Sequence, residues 1–197
     1  MFSYSFCPRP MSTLSSWVLL ALLLSSCSAR IAERTRQYSE VQKYGLVFRL
    51  HDYKQRYDFY EKNGLHDRAV KERAENDAYN RALMTHFKQY FDFCEMRFFY
   101  ASQIKELQAG KPVLLNAQLQ PDPSIPLPEH IIVASYDYGD VDDHSAPLRS
   151  FSVEKSQIKV RHSSFFKWLK GSPADSSTIK KINKRMWKQS GLAYTKQ

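Results

Sequence analysis

"KYGLVFRLH", Lys43 to His51, is short, β-branched and aromatic, with Leu46, Phe48 and Leu50 alternating with Val47 and Arg49. That alternation predicts a strand with one face turned to a core. A second stretch of the same kind, "FDFCEMRFFYAS", runs from Phe91 to Ser102. What separates the two decides the fold. In the first helical segment Tyr53, Tyr57 and Tyr60 fall at i, i+4 and i+7, Asp52 is placed to cap it, and Asn63-Gly64 can close it in a left-handed turn. A second helix is expected from about Asp67 to Tyr90. An Ala/Val stripe (Val70, Ala74, Ala78) marks its first half, and Tyr79, Leu83, Phe87 and Tyr90 give its second half an apolar side. Strand, helices, strand is the order of a crossover unit. It implies parallel pairing and an α/β layer architecture.

Outward from this unit the pattern continues. "QPDPSIPLPEH", Gln120 to His130, holds Pro121, Pro123, Pro126 and Pro128, so it is an extended loop rather than a regular element. Ile131 to Tyr136 gives another strand, apolar enough at its start for an interior position. "PLRSFSVEKSQIKV" fits one strand or a hairpin turning at Glu154 to Ser156. A final helix, capped by Ser177 or Thr178, carries Ile179, Ile182 and Met186 on one side. Lys180, Lys181, Lys184, Arg185 and Lys188 lie mostly elsewhere on its surface, beside Trp187. The expectation is a single α/β domain over residues 44–197, a small mixed or parallel sheet with flanking helices.

The N-terminal residues carry a different message. Leu14 to Leu24 is an apolar core of signal-peptide length, preceded by one charge, Arg9. It is too short for a membrane span, which needs roughly 20 apolar residues. Behind it stands Leu24-Ser25-Ser26-Cys27, which resembles the lipobox of bacterial lipoproteins: a branched apolar residue, two small residues and a cysteine. In that family the thiol receives a diacylglyceryl group, the peptide bond before the cysteine is cut, and the new amine is usually acylated. The resemblance therefore implies a cleaved signal over residues 1–26, lipidation of Cys27, and a mature chain anchored to a membrane of the bacterial envelope. Ser28 stands where many bacteria place an Asp to retain a lipoprotein in the inner membrane, so the outer membrane is the expected address. An ordinary cleaved signal, with Ser26 and Ser28 preceding a cut at Ala29, is the competing reading. Residues 27–43 read as a charged tether, flexible at first and partly helical later, reaching about 50 Å if fully extended.

Composition limits the remaining possibilities. The formal net charge is +9 at pH 7, and loss of Arg9 with the leader would lower it by one. Basic charge raises the question of nucleic acid, but an exported and anchored chain does not meet any. Anionic lipid, an acidic glycan or an envelope protein are the partners to consider. With Cys7 in the leader and Cys27 lipidated, Cys94 is the one thiol left, so no intramolecular disulfide is expected. Catalysis through Cys94 would need His86, His130 or His162 as a base, whereas a small buried apolar residue is the ordinary role of a free cysteine.

One segment has the donors for a metal. "YDYGDVDDH" collects Asp137, Asp140, Asp142, Asp143 and His144 at the end of a strand, where α/β proteins place ligands. Its spacing does not match a twelve-residue calcium loop, and a solvated acidic turn is the plain alternative. No Gly-rich phosphate loop, GxSxG, HExxH or paired Cys/His spacing occurs, and no cofactor is expected. The sequence thus leans toward a binding or scaffolding protein rather than an enzyme. A periplasmic hydrolase or metal-dependent enzyme using the Asp137–His144 loop is the alternative.

Overall fold

The structure, a computed structural model, describes residues 13–137, 149–162 and 176–192. It opens with a long helix, α1 (Thr13–Tyr44), which Gly45 turns directly into β1 (Leu46–Leu50). Gly45 has φ +77°, and a Cβ there would come within 2.8 Å of the Glu95 carbonyl oxygen, so only glycine fits this junction. Two helices follow, α2 (Lys54–Lys62) and α3 (His66–Tyr90), before β2 (Met96–Tyr100). A 3-10 turn and the short α4 (Ile104–Gln108) lead into an irregular segment, then β3 (Val133–Asp137). The hairpin of β4 (Arg149–Val153) and β5 (Lys159–His162) and the helix α5 (Ser176–Ser190) complete the described chain.

The five strands form one mixed sheet in the order β2-β1-β3-β4-β5. β1 lies between two parallel neighbours, with Phe48 opposite Phe98 on β2 and Ala134 on β3. β3–β4 and β4–β5 are antiparallel. The small α/β domain expected from strand–helices–strand order is therefore what forms, and β1, the most apolar strand, takes the interior position.

Strand alternation sorts the side chains to two faces. Leu46, Phe48, Leu50, Phe98, Tyr136, Phe151 and Val160 face a core built with Leu83, Met84 and Phe87 of α3 and Ile179, Ile182 and Met186 of α5. Phe48 is its hub, with the rings of Phe87, Phe98, Tyr136 and Phe151 at 5.0–6.2 Å. On the opposite face Val47, Phe99 and Val133 are covered by Leu107, Val113 and Leu114, flanked by Ile104, Ile125, Leu127 and Ile131. The proline-rich loop is irregular, as expected, yet it also roofs the second face of the sheet. Leu115 N–H donates to the Phe98 carbonyl, so the segment before it also covers the open edge of β2.

Several local expectations give way to packing. Residues 27–43 are helix throughout, and Tyr38 and Val41 are buried in the main core, so ordered structure begins well before Lys43. Among the described side chains of the segment only these two are fully buried, which is too few to raise a visible apolar stripe. α3 starts one residue earlier than expected, and its buried residues are Ala69, Asn80, Leu83, Met84 and Phe87. Val70, Ala74 and Ala78 are exposed, because the first half of α3 packs only on α2, through Ala69 against Tyr57 and Tyr60. Asp52 does not cap α2: Tyr53 occupies the N-cap at φ 45°, and the Asp52 carboxylate accepts from Ser102 Oγ. The hairpin turns at Glu154–Gln157, with Lys155 at φ 55°.

Candidate functional site

α1 lies along the entry to the sheet and leaves a cleft beside it. Glu33, Arg36, Gln37 and Glu40 form the helix wall; Ile131, Ile132 and Val153 with Val41 supply an apolar floor; Glu154 to Ser156 close the far side. The cleft encloses about 410 Å³. A second hollow of about 560 Å³ shares Arg36, Glu40, Ile131 and Ile132 with it and runs on to Lys43, Tyr44 and His130. The His130 ring sits 4.3 Å from that of Tyr44. Local sequence explains the helix wall: Glu33, Arg36 and Glu40 at i, i+3 and i+7 share one side of α1. Arg36 bonds both carboxylates, at 2.7 Å for Glu33, and this contact, helped by Gln37, holds the Glu33 carboxyl below its usual range. Gln157 N–H donates to Gln37 Oε1 at 3.0 Å, tying the β4–β5 turn to α1. Such a wall sets two carboxylates and one guanidinium over an apolar floor.

The C-terminal ends of the parallel strands form a second polar cluster. His51 follows β1, and its carbonyl accepts Nδ2 hydrogen bonds from Asn76 at 2.9 Å and Asn80 at 3.0 Å. Burial, with Arg49 nearby and Asp52 opposing, pushes the His51 imidazole below its ordinary pKa. Tyr100, at the end of β2, is pushed up to about 12 by burial and by the negative charges of Asp77 and Asp52. No periodic signal reveals this cluster, since β1, β2 and the middle of α3 each contribute only one or two residues. A histidine and an aspartate directly behind an apolar strand were the available hint.

Comparison with protein-family models, characterised sequences and solved structures finds no match for the chain.

The expected metal residues fare unequally. Asp137 is the last residue of β3, paired with Ser150 of β4, while Asp140, Asp142, Asp143 and His144 lie outside the described residues. Among the described residues no three His, Cys, Asp or Glu side chains approach closely enough to hold a metal. Cys94 sits in the loop before β2, and burial drives its thiol far above its usual range, the opposite of what a nucleophile requires. His86 and His130 lie against Tyr90 and Tyr44. Cys27 falls within α1, continuous with the buried turn at Tyr38 and Val41. Among the described residues no helix is long and apolar enough to cross a membrane.

α5 packs on the domain through Ile179, Ile182 and Met186. Lys180, Lys181, Lys184, Arg185 and Lys188 are exposed, and the helix contains no acidic residue. Asp92 fastens it by accepting from Asn183 Nδ2 at 2.7 Å and Trp187 Nε1 at 2.8 Å.

Proposed function

We propose that this chain is a lipid-anchored protein of the bacterial cell envelope, attached through Cys27 and serving a binding or scaffolding role rather than a catalytic one. The observation that carries the reading is Leu24-Ser25-Ser26-Cys27 placed directly behind an apolar core of signal-peptide length. Two or more acyl chains are needed for durable anchoring, and a processed lipobox cysteine carries them. The cleft beside α1, with its apolar floor and charged rim, is the surface such a protein would present to an envelope protein or glycan. Its outer-membrane address follows from Ser28 in the sorting position.

The test is the mass of the protein recovered from bacterial membranes. The expected chain begins at Cys27 and carries a thioether-linked diacylglyceryl group, and Cys27→Ala leaves a precursor that retains residues 1–26. A mature chain beginning at Ala29 without lipid overturns the reading. A metal-dependent hydrolase is the second reading, favoured by the position of Asp137 at the C-terminal end of the parallel strand β3. Stoichiometric metal in the purified protein, lost in Asp140→Ala and Asp142→Ala variants, would put that reading first.

A further inference from the structure

The anchor reading leaves open how the domain sits once attached, and four observations bear on it. First, α1 is a continuous helix from Thr13 to Tyr44. At 1.5 Å per residue, Cys27 lies about 17 Å from the buried Tyr38 turn, against the tens of ångströms an extended tether would allow. Second, the acidic residues of this stretch of α1 are already engaged: Arg36 bonds both Glu33 and Glu40, and no carboxylate among the described residues pairs with Arg30 or Arg34. Third, Ile31, one turn after Cys27, is 67% exposed, the most exposed of the large apolar side chains described. Fourth, Tyr38 Oη donates to Gln189 Oε1 at 2.7 Å, and the Arg34 guanidinium stands 5.8 Å from the Tyr38 ring. The last turn of α5 therefore lies beside the Arg34–Tyr38 turn of α1.

We propose that α1 and α5 together form a docking face for an anionic phospholipid bilayer, built from Ile31, Arg30 and Arg34 on α1 and Lys181, Lys184 and Lys188 on α5. The proposal rests on lipidation at Cys27 and adds an orientation to it. If α1 stood upright, Ile31 would stay in water and the α5 cations would lie about 17 Å from the attachment point, some two Debye lengths at physiological salt. A helix lying along the bilayer instead brings Ile31 to the acyl boundary and both cationic stripes among the headgroups. The apolar side of α5 is already used in the core, so α5 contributes charge and does not insert. Charge complementarity selects the occupant: no carboxylate among the described residues pairs with Lys181, Lys184 or Lys188. Lipid attached one turn before Ile31 makes the bilayer the nearest anionic surface.

The experiment uses the full-length protein, isolated from membranes and reconstituted into phosphatidylcholine vesicles with or without phosphatidylglycerol. Lysine acetylation rates are read residue by residue by mass spectrometry, with flotation to confirm attachment. Lys181, Lys184 and Lys188 should react about five-fold more slowly on the phosphatidylglycerol vesicles at low salt, and this protection should vanish at high salt. Lys54 and Lys62 on α2, beyond the far end of β1 from α1, should react equally on both. A variant with Lys181→Gln and Lys184→Gln should still float but lose most of the protection at Lys188. Lipidated protein that floats with the same lysine rates on both vesicles overturns the docking face and leaves the anchor intact. A free Cys27 thiol overturns the anchor, and the docking geometry with it.

Discussion

His51 is the side chain whose chemistry depends most visibly on the fold. Its pKa is depressed, first by burial and then by Arg49, from the ordinary 6.5. A base with a depressed folded pKa binds fewer protons when folded, so its contribution to stability is present above pH 6.5 and is lost as pH falls through that value toward the folded one. The urea midpoint should drop across this window, and His51→Asn should flatten that part of the slope; an unchanged slope in the variant contradicts the assignment. Next to it, Asn80 occupies a position in α3 where helical periodicity suggests an apolar residue. It is 1% exposed because its amide closes on the His51 carbonyl, a contact shared with Asn76. Either Asn→Ala change alone should cost about 1 kcal/mol, since the other donor remains. The double variant should lose more than the sum, because the partly buried carbonyl then loses both of these donors. Equilibrium unfolding of the three proteins measures this. Sequence pattern alone does not expose such a residue, because its burial follows from what lies opposite it.

At the scale of elements, α1 shows the limits of periodicity. Its segment after Cys27 is rich in charge, and Tyr38 and Val41, its two fully buried side chains, are spaced by three. Their energetic weight is nevertheless large. Tyr38 is fully buried and packs edge-on to Phe93 at 5.9 Å. Tyr38→Ala should destabilise by about 3–5 kcal/mol. Tyr38→Phe, which keeps the ring and loses the hydroxyl that bonds Gln189, should cost about 1 kcal/mol. Thermal or urea denaturation separates the two, and equal losses would mean that the hydroxyl, not the ring, holds α1 down. Gly45 at the end of the helix should be equally intolerant. Gly45→Ala meets the Glu95 oxygen and a positive φ together, so it should cost more than about 1 kcal/mol. The proline-rich loop teaches a related lesson: its prolines announce irregular structure, whereas its service as the roof of Val47, Phe99 and Val133 comes from scattered apolar residues with no period.

As a whole molecule the protein is one sheet with unequal satellites. The main core joins α1, α3, α5 and all five strands, through Phe48 of β1, Phe98 of β2, Tyr136 of β3, Phe151 of β4 and Val160 of β5. The α2–α3 tip has a small cluster of its own, Tyr57, Tyr60 and Ala69, stiffened by Arg68 over Tyr60 and by Glu72 receiving Arg68 and Tyr60. Elements with few buried contacts open below the global unfolding energy. Amide exchange should therefore release α2 and the first turns of α3 early, while β1, β2 and the Leu83–Phe87 turn of α3 hold to the global limit. Uniform protection across α3 would show instead that the tip is locked to the core.

The strand-like stretches Lys43–His51 and Phe91–Ser102, with two helices between them, pointed to parallel pairing and the α/β class, because strand and helix periods are local properties of the chain. The helix α5, its buried Ile179, Ile182 and Met186 and its basic exposed residues were legible for the same reason. Only the tertiary structure decided that β1 stands between β2 and β3, that Tyr38 and Val41 belong to the core, and that a proline-rich loop shields a sheet face. It also decided that Asn80 is buried while Val70 is not. These outcomes depend on which surfaces meet at long range, and burial is settled by the partner surface rather than by the residue's own neighbours in sequence.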